Sequence, residues 1–398
     1  MSTRFKQTRS SAGNLIPLSV PQICGNEWKY IKECLDTNWV SSVGPFVDRF
    51  EKALSDTVGS KYAVATVNGT AALHVALLVA GIQPNEEVLV SDLTFIAPAN
   101  AIRYVGAWPV FMDAEPAYWQ MDVQKVKDFL EMECCWQKGR LVNKKTKRRV
   151  RAILPVHILG HPVDMDPLLT LAKKYNLVVI EDTAESLGAE YKSKKVGSLG
   201  HIACFSFNGN KIITTGGGGM IVTDNKKWAE KAKYLTTQAK DDEVEYIHKQ
   251  IGYNYRLTNI QAAMGCAQME KLDALVAKKR EIAGHYAELL RNVPGILLMP
   301  EAPWAKSIFW LYTILIDKKK YGKGSRALMK RLSRHQIQTR PLWQPLGQSK
   351  AHIKSQAYRI EIAGILNQEA LSLPSSAGLK KPDIIKVTDL IKDFSNKK

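Results

Sequence analysis

A lysine and an aspartate are the pair in this sequence whose residue types and surroundings best suit covalent chemistry. Lys211 lies in the run Ser-Phe-Asn-Gly-Asn-Lys-Ile-Ile-Thr-Thr-Gly-Gly-Gly-Gly, residues 206–219, and Asp182 closes an apolar run. A lysine amine among small, flexible residues can condense with an aldehyde, and a buried carboxylate can keep a pyridine nitrogen protonated. These are the two requirements of pyridoxal phosphate (PLP). Alone, Lys211 is more simply interpreted as a surface lysine before a glycine turn.

The acidic residues after the same apolar run have two interpretations. A carboxylate such as Asp182 is costly to bury at a strand end unless it has a cationic partner, and a protonated pyridine nitrogen is such a partner. A helix N-cap or a structural ion pair explains Asp182 equally well. Glu185 either caps the following turn or approaches the ring hydroxyl of the cofactor.

A candidate phosphate site follows the strand-like run Ala63–Val67. The turn through Gly69 and Thr70 leads into a helix, whose free N–H groups and threonine hydroxyl can hold a phosphate at the positive end of the helix dipole. A plain N-cap explains the same residues. Ser206 either adds a phosphate hydrogen bond or satisfies a strand end.

The elements that must position these residues alternate between strand-like and helical runs. This alternation predicts an α/β fold, with a mainly parallel central sheet flanked by helices. Ligands in such sheets collect at the carboxyl ends of the strands, where the candidate residues fall. Helices are expected over residues 69–81, 96–106 and 166–175. The strand-like runs are Ala63–Val67, Val88–Asp92, Pro109–Asp113, Ala152–His157, Leu177–Asp182, Ile202–Phe207 and Met220–Thr223.

The later part of the chain predicts a smaller α+β domain. We therefore divide the chain into a large α/β domain over residues 20–270 and a C-terminal domain over residues 271–398. We expect disorder only in the first dozen residues and the last few. The predicted elements are a long helix from about Thr258 to Leu290, a strand over Phe309–Ile316, an amphipathic helix over 325–335, a strand over Ile337–Arg340 and a helix near 383–394.

Composition limits the class of protein. The chain of 398 residues is 45% hydrophobic, and its formal net charge is +18. No apolar stretch approaches the roughly 20 residues that span a bilayer, and the first residues lack the apolar core of a secretory signal. We therefore expect a cytoplasmic protein with no membrane partner. The six cysteines form no metal-binding pair, so no metal is expected.

Part of the basic excess lies in residues 138–151. A nucleic-acid-binding segment would interleave aromatic residues with the basic ones or carry a recognition module, and this segment does neither. We interpret it as a solvated hairpin and expect no nucleic-acid partner. Nucleic-acid binding remains the minority interpretation of the charge.

These motifs together resemble the DegT/DnrJ/EryC1/StrS family of PLP-dependent sugar aminotransferases, which have fold type I. The resemblance covers most of residues 20–350, and the lysine loop is most similar to the branch that aminates nucleotide-linked 4-keto-6-deoxy sugars. The segments that carry it are Asn68–Leu73, Asp92–Ala97, Pro155–His157, Glu181–Gly188, Ser206–Gly219, Gly252–Asn259 and Gln261–Ala263.

The resemblance implies a role for each candidate residue. Lys211 would bind the cofactor aldehyde covalently, and Asp182 would pair with the pyridine nitrogen. Asn254 would reach the cofactor phosphate of a neighbouring subunit, which implies a homodimer with shared active sites. Family members commonly have Gln at the position of Glu185, so its role stays open. The other cofactor contacts would be Gly69, Thr70 and Ser206 at the phosphate, Phe95 on one ring face, and Ala184 and Glu185 near the other.

Two residues are candidates for the sugar substrate. His157 follows a strand and could touch the sugar, although a lone histidine there is more often structural. Arg340 resembles a family position near the nucleotide-sugar entrance, where a guanidinium can grip a diphosphate bidentately. An ordinary surface arginine is the competing interpretation.

The implied activity is transfer of an amino group from glutamate to C4 of a nucleotide-linked 4-keto-6-deoxy sugar, in a ping-pong cycle that serves surface glycan biosynthesis such as lipopolysaccharide O-antigen. A UDP-linked 4-keto-6-deoxy-N-acetylhexosamine is the first expectation, and GDP-4-keto-6-deoxymannose, giving perosamine, is the alternative. Lys211 argues against a sugar dehydratase of the family, which has histidine there. A non-catalytic regulator or nucleic-acid binder on the same fold would show an eroded lysine loop, and this loop is intact.

Overall fold

The computed structural model describes residues 15–242 and 244–396. Disorder is expected in the first dozen residues and the last few; the first dozen and the final two residues of the chain lie outside the described residues. The strands of the described part are β1 (Tyr62–Thr66), β2 (Glu87–Ser91), β3 (Trp108–Met112), β4 (Cys134–Gln137), β5 (Arg140–Asn143), β6 (Val150–Leu154), β7 (Val178–Asp182), β8 (Glu190–Tyr191), β9 (Lys194–Lys195), β10 (Ile202–Ser206), β11 (Gly219–Thr223), β12 (Ile296–Leu297), β13 (Ala305–Lys306), β14 (Thr313–Ile316), β15 (Gln356–Tyr358) and β16 (Ala370–Ser372).

Helices flank the sheet and build the C-terminal part. Short 3₁₀ or π turns lie at Phe129–Glu133, Ile158–Gly160 and Leu346–Gln348. The α-helices of the described part are α1 (Glu27–Asp36), α2 (Pro45–Val58), α3 (Gly69–Val79), α4 (Ala97–Tyr104), α5 (Val123–Asp128), α6 (Met165–Tyr175), α7 (Lys226–Thr236), α8 (Asn259–Met269), α9 (Leu272–Leu290), α10 (Lys318–Tyr321), α11 (Ser325–Arg334), α12 (Ile362–Glu369) and α13 (Lys381–Asn396).

The central sheet has the strand order β1-β11-β10-β7-β6-β2-β3-β15. Strand β11 runs antiparallel to both of its neighbours, and the other neighbouring pairs are parallel. The predicted mainly parallel α/β sheet is therefore confirmed. Apart from β11, its strands all end at the same edge, so the residues that follow them meet there.

The apolar strands are explained by burial on both faces. Val88 and Val90 of β2 pack into one hydrophobic core, whereas Leu89 between them packs into a second. Successive side chains of a strand point to opposite faces, so a strand covered by helices on both sides has no position left for a polar residue in its middle.

Three predicted elements differ from the structure. The long helix is two helices, α8 and α9, with Glu270 and Lys271 between them. Only β14 is a strand within Phe309–Ile316, because the N–H groups of Ile308 and Trp310 bond to a loop. The segment Ile337–Arg340 forms isolated bridges, not a strand.

The later part of the chain contributes to both halves of the fold. Strands β12, β14 and β16 form a separate antiparallel sheet. Strand β15, however, extends the central sheet beside β3. The division at residue 270 stays a proposal, and β15 crosses it. No local sequence pattern predicts that β15, which follows β3 by more than 240 residues, pairs with it.

The basic segment 138–151 contains β5 and the turn of the β4–β5 hairpin, and continues into β6. Lys138, Gly139 and Arg140 at its tip are exposed. In the described part of the chain, no helix has the length and apolar character needed to cross a bilayer.

Candidate active site

A cavity of about 420 Å³ opens at the carboxyl edge of the central sheet. Its walls come from the ends of β1, β2, β7 and β10 and from the segments around Trp310 and Arg340. The structure brings nine of the predicted site residues to this one cavity: Gly69, Thr70, Phe95, Asp182, Ala184, Glu185, Ser206, Lys211 and Arg340.

The first turn of α3 forms one wall. The Asn68 side chain caps this helix by accepting a hydrogen bond of 2.8 Å from the N–H of Ala71. A Cβ atom on Gly69 would lie 2.8 Å from the Ser206 Cβ. Glycine suits this position, because the first turn of α3 and the end of β10 approach too closely for a side chain. Backbone N–H groups, a threonine hydroxyl and a serine hydroxyl consequently surround one small space.

Asp182 and its neighbour Glu181 are both buried, but their surroundings differ. Burial raises the pKa of Glu181, and the hydrogen bond from His157 and N–H groups of the 197–200 turn lower it below its ordinary value. Burial also raises the pKa of Asp182, and the N–H of Ala184 and the charge of Lys211 offset this only in part. Asp182 is the carboxylate with capacity for a further cationic partner.

Lys211 points into the cavity. Its Nζ lies 3.6 Å from the Glu185 Oε1, and its side chain is 13% exposed. Burial raises the pKa of Glu185, while Lys211 and the N–H of Leu159, which donates a 2.8 Å hydrogen bond to Oε2, lower it. The carboxylate is therefore held by a backbone group on one oxygen and by the lysine on the other.

The structure corrects the expectation for His157. Its side chain is fully buried, with Nε2 3.1 Å from the Glu181 Oε2 and Nδ1 accepting a 3.0 Å hydrogen bond from the N–H of Val163. Because Nδ1 accepts from a backbone donor, the ring proton lies on Nε2. Both nitrogens are used inside the protein and His157 does not line the cavity, so it positions Glu181 and has no free atom for a sugar.

Of the two remaining predicted residues, Arg340 lies at the mouth of the cavity and Asn254 lies away from it. Arg340 is exposed at the mouth, where its Nη1 donates to the carbonyl of Thr339 at 2.9 Å. No carboxylate of the described residues lies within ion-pair distance of its guanidinium. Asn254 is exposed and does not line the cavity of its own chain, so its role at a second subunit stays a proposal.

Sequence reasoning missed several wall residues from distant parts of the chain. Leu18, Trp310 and Ser372 all line the cavity, although none lies in the motifs around the lysine. Trp310 sits in a loop that the sequence predicts to be strand. The sequence shows it only as a bulky aromatic residue next to an apolar run, and such a residue is most often interpreted as part of the core.

The residues present fit PLP. The cradle at Gly69, Thr70 and Ser206 offers hydrogen-bond donors at the positive end of a helix, which suits a phosphate. Asp182 is a buried carboxylate with unused capacity for a cation, which suits a protonated pyridine nitrogen. Lys211 supplies an amine in the same cavity, and Phe95, 58% exposed, supplies an aromatic face at its wall.

Comparisons with known proteins agree with this geometry. The model of the DegT/DnrJ/EryC1/StrS aminotransferase family matches residues 21–392. The chain therefore belongs to this family, and it is a PLP-dependent sugar aminotransferase. The predicted family, the fold type I architecture, the enzyme class and the cofactor are confirmed.

Individual members of the family are similar to this chain along nearly its whole length. The chain is 41% identical to the GDP-perosamine synthase of Caulobacter vibrioides, over 94% of this chain and 96% of that protein. It is 37% identical to a putative pyridoxal phosphate-dependent aminotransferase, EpsN, of Bacillus subtilis, over 94% of this chain and 95% of that protein. A solved aminotransferase of the same family from Brucella abortus is 26% identical and covers 94% of this chain and 96% of its own, with a TM-score of 0.85.

Proposed function

We propose that this protein transfers an amino group from glutamate to C4 of GDP-4-keto-6-deoxymannose and so makes GDP-perosamine. The likeness to the GDP-perosamine synthase of Caulobacter vibrioides along nearly the whole chain supports this substrate. The alternative of the sequence analysis thus replaces its first expectation, a UDP-linked acetamido sugar, for which the comparisons offer no comparable support.

The observation that carries the chemistry is the meeting of Lys211, Glu185 and Asp182 in one cavity. The lysine amine is shielded from solvent yet stands at the cavity wall, with a carboxylate 3.6 Å away. An amine in this setting can take a proton from a bound substrate carbon and return it to a neighbouring atom. Because only 13% of the lysine side chain is exposed, solvent has limited access to Nζ, which favours transfer of the proton between the lysine and the reacting atoms.

When bound, PLP supplies an aldehyde carbon that carries the amino group and a ring that accepts the electrons of the broken C–H bond. The residues that line the cavity would hold this group through separate contacts. Gly69, Thr70 and Ser206 would bind the phosphate, and Asp182 would keep the ring nitrogen protonated. Lys211 would bind the aldehyde and would hold or move a proton at Nζ. Phe95 would offer an aromatic face to the ring, and Ala184 and Glu185 are assigned to its other side.

The substrate contacts are proposed at the mouth of the cavity. Arg340 is the cationic group placed there without a carboxylate partner among the described residues. Its planar guanidinium matches the geometry of a diphosphate. We assign it to the diphosphate of the nucleotide sugar.

A homodimer follows from the same proposal. Asn254 is exposed and lies outside the cavity of its own chain, as expected of a residue that serves a neighbouring subunit. Two apolar side chains that precede it in the sequence are also exposed: Ile251 by 82% and Ile247 by 47%. Exposed apolar side chains on one short segment suit a protein interface.

The substrate assignment is tested by incubating the PLP-loaded protein with glutamate and either GDP-4-keto-6-deoxymannose or a UDP-linked 4-keto-6-deoxy-N-acetylhexosamine. We expect 2-oxoglutarate and an amino sugar of the corresponding mass with the GDP-linked sugar only. The K211A variant is the control and should form neither product. Turnover with the UDP-linked sugar alone would overturn the substrate assignment and leave the cofactor assignment standing.

A further inference from the structure

Trp310 is the one cavity residue of the described chain whose ring faces the lysine amine. The Nζ of Lys211 lies 4.2 Å from the centroid of the Trp310 ring. The indole N–H of the same side chain donates a 2.7 Å hydrogen bond to the carbonyl of Asn210, the residue directly before the lysine. Trp310 therefore contacts both the backbone that carries Lys211 and the end of its side chain.

The backbone of Trp310 closes a ring of contacts around the amine. Its N–H donates a 2.9 Å hydrogen bond to the carbonyl of Leu159. The N–H of Leu159 in turn donates to Glu185, whose other oxygen lies beside Lys211. The lysine amine is thus held between a carboxylate and an aromatic face, and one loop fixes the position of both.

A buried lysine fixes Trp310 from behind. The Nζ of Lys279, in α9, donates a 2.7 Å hydrogen bond to the carbonyl of Trp310 and a second one to the carbonyl of Ser375. Lys279 is itself buried. The indole ring therefore has little freedom to turn away from Lys211, since both its backbone and its N–H are bonded.

We propose that Trp310 is a positioning residue for Lys211, whose amine it keeps at the cavity wall whenever that amine is not covalently bound to the cofactor. This inference rests on the assignment of Lys211 within the proposed function. An ammonium group is attracted to an aromatic face, and the attraction grows where water is excluded. Without this contact, the free lysine side chain would populate several rotamers. Its Nζ would then spend less time at the position from which it can transfer a proton.

The first test is the half-reaction with glutamate, followed through the absorbance of the PLP-loaded enzyme in single turnovers. W310M removes the ring and the N–H, whereas W310F keeps a ring. We expect W310M to lower the first-order rate constant about tenfold and W310F to lower it about two- to threefold. The glutamate concentration at half-saturation should change less than about twofold in both, because the tryptophan acts on the lysine and not on substrate affinity.

The second test needs no cofactor. In cofactor-free protein, the rate at which an amine-acylating reagent labels Lys211 is measured by peptide mass spectrometry. W310M should label several-fold faster than wild type, since its amine is released from the ring, and W310F should stay close to wild type. W304M is the matched control, because Trp304 is a half-buried tryptophan of the same segment that does not line the cavity. It should change neither measurement.

A third arm covers the case in which W310M does not fold. Trifluorotryptophan, incorporated at all tryptophan positions, weakens the attraction of the ring for a cation with little change in size. Labelling of Lys211 should then accelerate in the wild-type sequence and not in W310F. The proposal would be overturned if W310M, or the wild-type sequence with trifluorotryptophan, labelled Lys211 and carried out the half-reaction at the rates of the unmodified wild-type protein. None of these tests uses a nucleotide sugar, so failure of the GDP-sugar assignment would leave them unaffected.

Discussion

Glu181 and Asp182 are consecutive buried carboxylates of β7, and Glu181 has four hydrogen-bond partners within the protein whereas Asp182 has one. The N–H groups of Gly197, Leu199 and Gly200 and the ring of His157 bond to Glu181. Asp182, on the opposite face of the sheet, has one backbone N–H. The strand thus uses one carboxylate to fix a turn and leaves the other dependent on a ligand. Binding of a cation at Asp182 should therefore stabilise the fold.

Replacing Asp182 by Asn should separate cofactor binding from folding. Burial raises the pKa of Asp182 in the folded protein above its ordinary value of 3.8. The folded protein therefore loses stability as the pH rises from 3.8 through this raised pKa, and the full loss is present at higher pH. Cofactor-free D182N should therefore be more stable than cofactor-free wild type at neutral pH. Urea unfolding with and without PLP measures this, and PLP should stabilise the variant less than wild type.

The matched control is E181Q, which changes the neighbouring residue. The folded-state pKa of Glu181 lies below its ordinary value, so its charge contributes stability that is present above that value and is lost as the pH falls. E181Q should therefore destabilise the protein at neutral pH by about 1–3 kcal/mol, with or without PLP. A cofactor-free D182N protein less stable than wild type would contradict the account of both residues.

Replacing Gly69 by Ala should weaken cofactor binding without unfolding the protein. The added methyl would stand 2.8 Å from the Ser206 Cβ and would narrow the space between α3 and β10. We expect the dissociation constant for PLP to rise about 10- to 100-fold, equivalent to about 1.4–2.7 kcal/mol. Fluorescence titration of the cofactor-free protein measures it.

Gly209 provides the control for that experiment. It lies in the lysine loop, and a Cβ there would meet no atom within 4 Å. G209A should bind PLP as tightly as wild type. Equal affinities in G69A and wild type would show that the cradle does not hold the phosphate.

The sequence predicts the site well where neighbouring positions along the chain determine it. Asp182, Ser206 and Gly69 each follow or end an apolar run, and the parallel sheet brings these ends together whatever the connecting helices contain. Trp310 and Leu18 reach the cavity through long-range packing, to which no spacing rule applies. His157 shows the opposite failure. It follows a strand as a ligand would, but the orientation of its ring depends on Glu181 and Val163, which only the folded structure reveals.

Lys279 should make stability depend on pH. Burial lowers its pKa from 10.5 to about 7, so between these values the unfolded chain binds more protons than the folded one. The contribution of Lys279 to the free energy of unfolding therefore rises with pH across that range. It is least favourable below pH 7, where the buried amine carries its charge. The free energy of unfolding of wild type, relative to that of K279M, should rise by about 3 kcal/mol from pH 6.5 to 9.5. Urea unfolding of the PLP-loaded proteins across that range measures it.

K278M is the matched control, because Lys278 belongs to the same helix and is 42% exposed beside Glu281. Its difference from wild type should stay constant across the range. K279M also leaves the carbonyls of Trp310 and Ser375 without their donor, which lowers stability equally at every pH. A pH-independent difference for K279M would mean that the buried amine does not titrate in this window.

Hybrid dimers provide the test of a shared active site. If Asn254 serves the cofactor of the neighbouring subunit, a dimer that pairs one K211A chain with one N254D chain contains one site with both defects and one intact site. Such hybrids, isolated with two affinity tags after co-expression, should recover about half of the wild-type activity per dimer. Each parent homodimer should be nearly inactive, because the lysine is missing in one and a carboxylate faces the phosphate in the other. If Asn254 instead acts within its own chain, both hybrid sites carry a defect, and the hybrid should be no more active than the N254D parent.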